Sequence, residues 1–358
     1  MIDDFGKASG FCTNLAKCSA HLIRCSPKQV DIVPEELKCQ TLPFPCTYLG
    51  MPLSLRALRK VDLEPWLLKF GDKTACWKGG MMAKSGRLVL LKSTLISLTI
   101  YLMTVHKLPV WIRKQVVWLC TAWLWTGETS CNGGKCRVSW ALLARPKHLG
   151  GLGVFDLQKF GRALRLRWLW MSWQQPERPW VGLGLPCDDS DRTLFSMATS
   201  ITVNDGRLAS FWHDQWLQGL CPKTVAPNLF RISIRKSRSV REALHEDRWM
   251  LDLAHGLTAQ MEGELTRLAG LLDLVTLVDG TPDKIVWRFN SSQEYTTKSA
   301  YQLQFLGSVQ PEATALMWKG WAPAKCRFFL WTASLGRILT ADLLIRRGWE
   351  NYYFCALC

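Results

Sequence analysis

The sequence predicts a mainly helical α+β protein. Apolar residues recur every three or four positions from Leu88 to Val105, and the same spacing returns from Ile112 to Trp123. This period places apolar side chains along one face of an amphipathic helix. Beyond Pro186, short runs rich in β-branched and aromatic residues lie beside Asn, Asp and Gly, which is typical of strands and turns.

The composition describes a basic chain that is long enough for several domains. Its 358 residues carry a formal net charge of +16, and they allow two or three domains with a hydrophobic core. Such a charge is typical of proteins that bind phosphate groups, although ribosomal and membrane-associated proteins share it. The 19 tryptophans can fill a core or stack on unpaired bases, and we expect core packing for most of them.

The 14 cysteines are scattered, and the N-terminus lacks a charged-then-apolar signal segment. We therefore expect reduced thiols and an intracellular protein, nuclear or cytoplasmic, that is not secreted. Cys355 and Cys358 form a Cys-x-x-Cys pair, which supplies two of the four ligands that a structural zinc requires. Because the sequence stops there, we expect an incomplete zinc half-site. Cys131 and Cys136 flank Asn-Gly-Gly, and we interpret them as part of a loop.

Two helices are expected in the region of the strongest period. The first carries a predicted buried stripe at Leu88, Leu91, Leu95, Leu98, Leu102 and Val105. Its uncharged part covers only 93–105, which is too short to span a bilayer. Pro109 ends this helix, and the second follows antiparallel to it.

A basic region with interleaved tryptophans follows between 135 and 178. Arg162, Arg165 and Arg167 lie beside three tryptophans of one predicted helix, Trp168, Trp170 and Trp173. The arginines could follow a nucleic-acid backbone while the rings stack on bases. An ordinary helix with apolar residues inward and arginines outward fits equally well. The glycines of 150–153 lack the spacing of a phosphate-binding loop and predict a turn.

Two hairpins and two helices are expected in the rest of the chain. Segments 201–203 and 207–211 flank Asn204-Asp205-Gly206, and 284–289 and 294–297 flank 290–292. Between them lies a basic run that could be solvated or could contact phosphate, comprising Arg231, Arg235, Lys236, Arg238 and Arg241. Helices are predicted over 299–306 and from Thr340, which can cap a helix that Gly348 ends. The aromatic block 318–331 is expected to be core.

The segment from Trp318 to Cys358 resembles the start of the zinc-binding domain of plant non-LTR (LINE-type) retrotransposon reverse transcriptases. Other segments resemble the same family in the same order, and the resemblance spans nearly the whole chain. They are 5–17, Tyr48–Leu53, Ser85–Leu88, Tyr101–Met103, 146–153, 163–170 and Phe211–Trp216.

This resemblance implies a palm remnant and a helical thumb, then a mixed connector with short hairpins, then a small incomplete zinc-binding domain. The corresponding ranges are 1–55, 56–180, 181–296 and 297–358. It also implies that Lys17 lies near the phosphates of the incoming nucleotide. Tyr48, Leu49 and Gly50 would contact the primer strand of an RNA or DNA duplex.

The family polymerises DNA with an aromatic-Ala-Asp-Asp turn and a third carboxylate, which hold two Mg²⁺ ions. Asp3-Asp4 and Asp188-Asp189 lack the aromatic-Ala that precedes this turn, so we expect neither catalytic residues nor a magnesium site here. The leading interpretation is a non-catalytic fragment of an RNA-directed DNA polymerase. A retained, sequence-tolerant nucleic-acid-binding module and a decayed product without function are the alternatives. No membrane partner is expected.

Overall fold

The computed structural model describes residues 2–12, 14, 17–23, 25–75, 79–131, 134–254, 256, 258–311, 317–318, 320–346 and 348–350. Helices dominate these residues, and short strands form three two-stranded sheets among them. The prediction of a mainly helical α+β fold is confirmed.

The helices of the first half are α1 (Ile2–Ser9), α2 (Pro27–Leu37), α3 (Lys60–Ala75), α4 (Lys84–Leu90), α5 (Ile96–Val105), α6 (Val110–Thr126), α7 (Trp140–Leu143) and α8 (Leu157–Gln174). The second half contains α9 (Asp189–Ala198), α10 (Pro222–Val225), α11 (Pro227–Ile232), α12 (Val240–Leu244), α13 (Arg248–Leu251), α14 (Ala259–Leu272), α15 (Thr297–Leu303), α16 (Ala324–Ser334) and α17 (Ala341–Arg346). Turns of 3-10 helix lie at Gly79–Met81, Lys147–Leu149 and His245–Asp247.

Each strand pairs with its neighbour in sequence order. β1 (Ser19–Ala20) is parallel to β2 (Gln40–Thr41), and β3 (Cys46–Tyr48) is antiparallel to β4 (Met51–Leu53). β5 (Thr199–Thr202) pairs antiparallel with the distant β6 (Lys284–Trp287), with Thr199 opposite Trp287 and Thr202 opposite Lys284.

Two hydrophobic clusters form the core. The first collects buried side chains from positions 51–198 and 285–331, and Trp123, Trp287 and Trp331 are its largest fully buried members. The second lies within positions 209–272 and is built around Phe211 and Trp212. The first core therefore contains residues from both sides of position 296, so its packing crosses the start of the predicted terminal segment.

The predicted leucine stripe changes face partway along its helix. A π-helical turn at Leu91–Leu95 joins α4 to α5 in one helix, Lys84–Val105. A π-turn carries one more residue than an α-turn, so the residues beyond it are rotated relative to the core. Thr99 and Met103 are buried, whereas Leu98 is 38% exposed. The prediction that Leu98 belongs to the buried face is wrong for this reason.

The joined helix Lys84–Val105 has 22 residues and is long and apolar enough to cross a membrane by length and composition. Counting only the uncharged residues 93–105 underestimated it, because the helix continues through Lys92 to Lys84. A core helix of a soluble protein passes the same test. Several of its residues belong to the first core, among them Leu91, Leu95 and Leu102.

The antiparallel helix pair is confirmed, and two glycines set its spacing. The Arg87 Nε–H of α4 donates to the Gly79 carbonyl at 2.8 Å, and Nη1 donates to the Leu124 carbonyl of α6 at 3.4 Å. A Cβ on Gly79 would lie 2.3 Å from the Gly127 oxygen and 2.3 Å from the Trp123 ring. The turn before α4 can therefore approach the end of α6 only because Gly79 and Gly127 carry no side chain.

The hairpin predicted at Asn204-Asp205-Gly206 does not form, because β5 pairs with β6 instead. The carboxylate of Asp283 takes the place of strand pairing on this turn. Its Oδ1 accepts the N–H groups of Asn204 and Gly206 at 2.8 and 2.9 Å. Its Oδ2 accepts those of Leu208 and Ala209, each at 3.0 Å.

The hairpin predicted around 290–292 forms only in part. Residues 284–287 are the strand β6, and the Trp287 N–H donates to the Gln293 carbonyl at 2.9 Å across the turn. The chain then leaves the strand direction, because the Thr296 hydroxyl accepts the Ser299 N–H and starts α15. The second predicted strand, 294–297, is therefore wrong.

The aromatic block 318–331 is only partly core. Phe328 and Trp331 are buried on one face of α16, whereas Trp321 is fully exposed and Phe329 is 57% exposed. The predicted helices are present as α15, which begins earlier and ends at Leu303, and as α17.

Candidate nucleic-acid interface

The hairpin of β3 and β4 presents the three residues that were expected to contact a primer. Tyr48 is opposite Met51, and Leu49 and Gly50 form the two-residue turn between them. Both turn residues have positive φ, 49° and 81°, as a tight hairpin turn of the I′ type requires. Tyr48 is 58% exposed and Leu49 is 74% exposed. The tip therefore presents an aromatic and an aliphatic side chain to solvent.

The base of this hairpin is fixed to the helix pair. Met51 is 3% exposed and belongs to the first core. The His106 ring, just after α5, hydrogen-bonds to the backbone of Pro52, and burial lowers the pKa of this histidine. An exposed tip on a buried base can meet a large ligand without losing its own structure.

Lys17 is exposed and lies in a short turn, where its backbone N–H donates to the Asn14 carbonyl at 3.1 Å. Among the described residues, no hydrogen bond or ion pair joins it to the hairpin tip. Its predicted contact with nucleotide phosphates stays a prediction.

The three arginines of α8 occupy different environments. The Arg165 side chain is buried and forms two bonds with Asp191, Nε–Oδ2 at 2.8 Å and Nη2–Oδ1 at 3.1 Å. Arg162 is half-buried, with Nε 3.1 Å from Asp191 Oδ1 and Nη2 donating to Ser190 at 3.0 Å. Arg167 is exposed. The geometry gives Arg165 a structural ion pair and leaves Arg167 as the most accessible of the three to a phosphate.

The tryptophans of the same helix pack against protein. The Trp168 Nε1–H donates to the Thr104 carbonyl at 2.8 Å, and its ring meets Trp180 edge to face. Trp170 is 9% exposed and stacks on Tyr295. Inward tryptophans match the ordinary-helix interpretation of this region, whereas inward Arg165 departs from it.

The two aspartate pairs start helices. Asp188 is the N-cap of α9 and forms a capping box with Asp191. Burial opposes its ionisation, but hydrogen bonds from Lys107 and Ser190 outweigh it and hold the pKa of Asp188 below its usual range. Asp4 lies exposed in α1, and the side chain of Asp3 is outside the described part.

The two cysteine pairs lie in different parts of the chain. Cys355 and Cys358 lie outside the described residues, so the predicted zinc half-site stays a prediction. The Sγ atoms of Cys131 and Cys136 are 2.8 Å apart, and burial raises the pKa of Cys136 to about 12. Within the described ranges, no three His, Cys, Asp or Glu residues are grouped as metal ligands.

Part of the basic run between 231 and 241 forms ion pairs. Arg238 pairs with Asp252, with Nη2 3.0 Å from Oδ1, and Arg241 lies 2.5 Å from Asp279. Lys236 Nζ lies 4.9 Å from the centre of the Phe230 ring. These contacts agree with a solvated, self-paired face.

A basic cavity that no sequence pattern predicted lies between the start of α4 and helix α16. Lys84, Arg137 and Lys325 line it together with Phe329. The three cations are up to 241 positions apart in the numbering, from 84 to 325, so no local pattern could have joined them.

Comparison with known proteins relates this chain to retroelement proteins. The family model described as zinc-binding in reverse transcriptase matches residues 295–358. The curated Arabidopsis thaliana protein named "Putative ribonuclease H protein" is 24% identical over 342 residues, which is 86% of this chain and 54% of that protein. The chain thus spans about half the length of the curated relative that it matches.

Proposed function

We propose that this chain is the part of a plant non-LTR retrotransposon reverse transcriptase that holds the RNA/DNA primer–template duplex. In this proposal the hairpin tip contacts the primer strand, and the helix pair α5–α6 lies beside the duplex. The protein acts inside the cell, in the nucleus or cytoplasm. The matched zinc-binding segment and the order of the family-like segments support this assignment.

The observation that carries the proposal is the hairpin at Tyr48, Leu49 and Gly50. The tip holds an exposed aromatic ring and an exposed leucine side by side, which gives a partner an apolar surface to pack against. A nucleic-acid strand offers sugar and base faces against which such side chains pack. The net charge of +16 supplies the sequence-independent attraction to phosphates.

We further propose that these residues do not carry out polymerisation. The sequence contains no aromatic-Ala-Asp-Asp turn. Asp188 and Asp191 are engaged in a helix cap and in ion pairs with basic side chains, which accounts for those carboxylates without a catalytic role. A zinc ion at Cys355 and Cys358 would need two further ligands.

Duplex binding is tested by fluorescence anisotropy with a labelled RNA/DNA hybrid that has a recessed 3′ end. We expect an affinity that falls steeply with salt, with a log–log slope of about −0.9 for each phosphate neutralised. The Tyr48→Ala variant should bind the hybrid at least about fivefold more weakly at one salt concentration, because a ring contact is lost. Leu251→Ala is the control, since Leu251 is also an exposed apolar residue and lies on α13, outside the hairpin.

Arg167→Ala gives a second readout, because an exposed arginine can be removed without breaking the Asp191 ion pair. If it contacts phosphate, the salt slope should decrease by about one unit. Binding that is independent of salt and of both variants would refute the proposal. Template-dependent extension of the primer with Mg²⁺ or Mn²⁺ would refute its non-catalytic part.

A further inference from the structure

A cavity of about 350 Å³ lies between the first turn of α4 and helix α16. Lys84 and Arg137 form one side, and Lys325, Phe328 and Phe329 of α16 form the other. Pockets that enclose small ligands in proteins begin at about 300 Å³. The volume is therefore comparable to one nucleotide and smaller than a paired duplex.

The walls of this cavity are held by the core. Phe328 is 7% exposed, and its ring meets the Trp125 ring edge to face at 6.0 Å. On the same helix the Trp331 Nε1–H donates to the Gly150 carbonyl at 2.8 Å. The cavity is thus a fixed feature of the packing between α16 and the helix pair.

The charge around the cavity has one sign. Its lining contains Lys84, Arg137 and Lys325 and no carboxylate. Within the described part of the chain, none of these three cations has an ion-pair partner. Burial, and to a smaller extent the nearby charges of Arg137 and Arg87, lower the pKa of Lys84. Glu128 is the acid that acts on Arg87.

The rim of the cavity is apolar. Phe329 is 57% exposed and Leu339 is 51% exposed, and both line the opening. A free phosphate ion would use the cations and leave these side chains in water. A ligand that fits both parts carries a phosphate and, one sugar away, a flat apolar ring. A nucleotide unit has this chemistry.

We propose that this cavity binds one nucleotide of a single-stranded nucleic acid, with its phosphate among Lys84, Arg137 and Lys325 and its base against Phe329. The inference rests on the proposed function, since a duplex held at the hairpin tip has an unpaired strand that continues beyond it. The cavity gives that strand a separate binding site.

The test uses the whole chain and a fluorescent single-stranded oligonucleotide of mixed sequence. Lys325→Glu and Arg137→Glu should each weaken its binding at least tenfold at low salt. Each should also reduce the salt slope by about 0.7, the value for one phosphate contact on a single strand. Phe329→Ala should weaken binding at least about fivefold without changing the slope, because a stacking contact is lost rather than a charge.

Arg267→Glu is the matched charge control. Arg267 is exposed on α14, whose Leu268 belongs to the second core, and it lies outside the cavity lining. The Kd of this control variant for the oligonucleotide should stay within twofold of the Kd of the parent protein. Thermal unfolding of each variant, followed by circular dichroism, checks that the fold is kept. Because Phe329→Ala removes only an exposed ring, the Phe329→Ala result remains informative even if a charge reversal destabilises the chain.

Two further probes separate the outcomes. Inorganic phosphate and a mononucleotide at equal concentration should compete less effectively than the oligonucleotide; equal competition would mean a small-ligand site and overturn the inference. The RNA/DNA hybrid without overhang should bind all cavity variants normally. If the single strand is bound but the variants do not alter it, or if it is not bound at all, the inference fails. If the parent protein does not bind the RNA/DNA hybrid, the proposed function is refuted instead.

Discussion

Arg165 and Asp191 form an ion pair in the interior, between helices α8 and α9. Two hydrogen bonds of 2.8 and 3.1 Å join the guanidinium to the carboxylate, and the two residues are 6% and 0% exposed. Arg162 adds a third bond to the same carboxylate. The aspartate thus compensates the charge of two basic side chains and links the helices.

Removal of this carboxylate should strongly destabilise the protein. Asp191→Ala leaves Arg165 as an uncompensated buried charge, and we expect a loss of about 3–5 kcal/mol in the free energy of unfolding. Urea unfolding followed by tryptophan fluorescence measures it. Asp279→Ala, which breaks the exposed pair with Arg241, should cost less than about 1 kcal/mol. Equal losses in both variants would contradict this account.

The Asp283 carboxylate should be one of the most sensitive polar positions of the chain. Asp283→Ala leaves four backbone N–H groups around Gly206 without their acceptor. An unsatisfied buried donor costs about 1–3 kcal/mol, so a loss of at least about 3 kcal/mol is expected. Asp283→Asn keeps one oxygen and should lose less. A variant with parent stability would show that water replaces the carboxylate.

Asp214 should make stability depend on pH. Desolvation by the surrounding protein, with a smaller effect from Asp283, raises the pKa of Asp214 from 3.8 to about 6, although the Ser210 N–H bond opposes the shift. Because the folded state holds this proton more tightly, the stabilisation is fully present below about pH 4 and is lost as the pH rises through 6. The loss is at most about 3 kcal/mol, less where solvent reaches the residue.

The measurement for Asp214 is the free energy of unfolding from pH 4 to pH 8 in the parent and in Asp214→Asn. The difference between them should change across the interval from about 4 to 6 and level off above it. Asp279→Asn provides the control, since an exposed carboxylate cannot produce a decline with rising pH. Parallel curves for the parent and Asp214→Asn would rule out the raised pKa.

Leu49 offers a substitution in which stability and binding should move in opposite directions. Its φ of 49° is a left-handed conformation that costs a leucine roughly 1 kcal/mol. Leu49→Asn creates Asn-Gly, the preferred pair for this turn, and should stabilise the hairpin by up to about 1 kcal/mol. The same change removes the apolar tip and should weaken hybrid binding. Parallel gains in both quantities would contradict a binding role for the tip.

Neighbouring glycines give a direct test of the helix crossing. Gly79→Ala places a methyl group 2.3 Å from the Gly127 oxygen, whereas a Cβ on Gly80 meets nothing within 4 Å. We expect Gly79→Ala to lower stability by about 2 kcal/mol or more, because backbone cannot yield as a flexible side chain does. Gly80→Ala should be near neutral. Thermal unfolding of the two variants decides the matter.

Local periodicity was sufficient to predict the helix pair. Ile112, Val116 and Trp123 are fully buried, as their spacing predicts, because the α-helical period fixes which residues share a face. Leu98 was misassigned because a π-turn is not visible in a hydrophobic pattern that tolerates spacings of three and four. The hairpin error at 204–206 has a long-range cause, since Asp283 and β6 come from far along the chain. The error at 294–297 has a local cause, because Thr296 caps α15 there.

The candidate site was predicted to different extents. Tyr48, Leu49 and Gly50 were named from a segment that resembles a known family, and the structure places them at a hairpin tip. Their contact with a primer strand stays a prediction. Arg165 could not be assigned from its own helix, because the partner that buries it is 26 residues away. The basic cavity was missed altogether, since its cations come from three separate segments.

The bond between Trp331 and Gly150 has a consequence for how such a protein can be rearranged. Similarity to a named family begins at residue 295, yet Trp331 and Tyr301 are buried against the helices that precede that point. A recombination breakpoint there would leave hydrophobic surface on both products. The structural unit is therefore larger than the segment 295–358 that the family model matches.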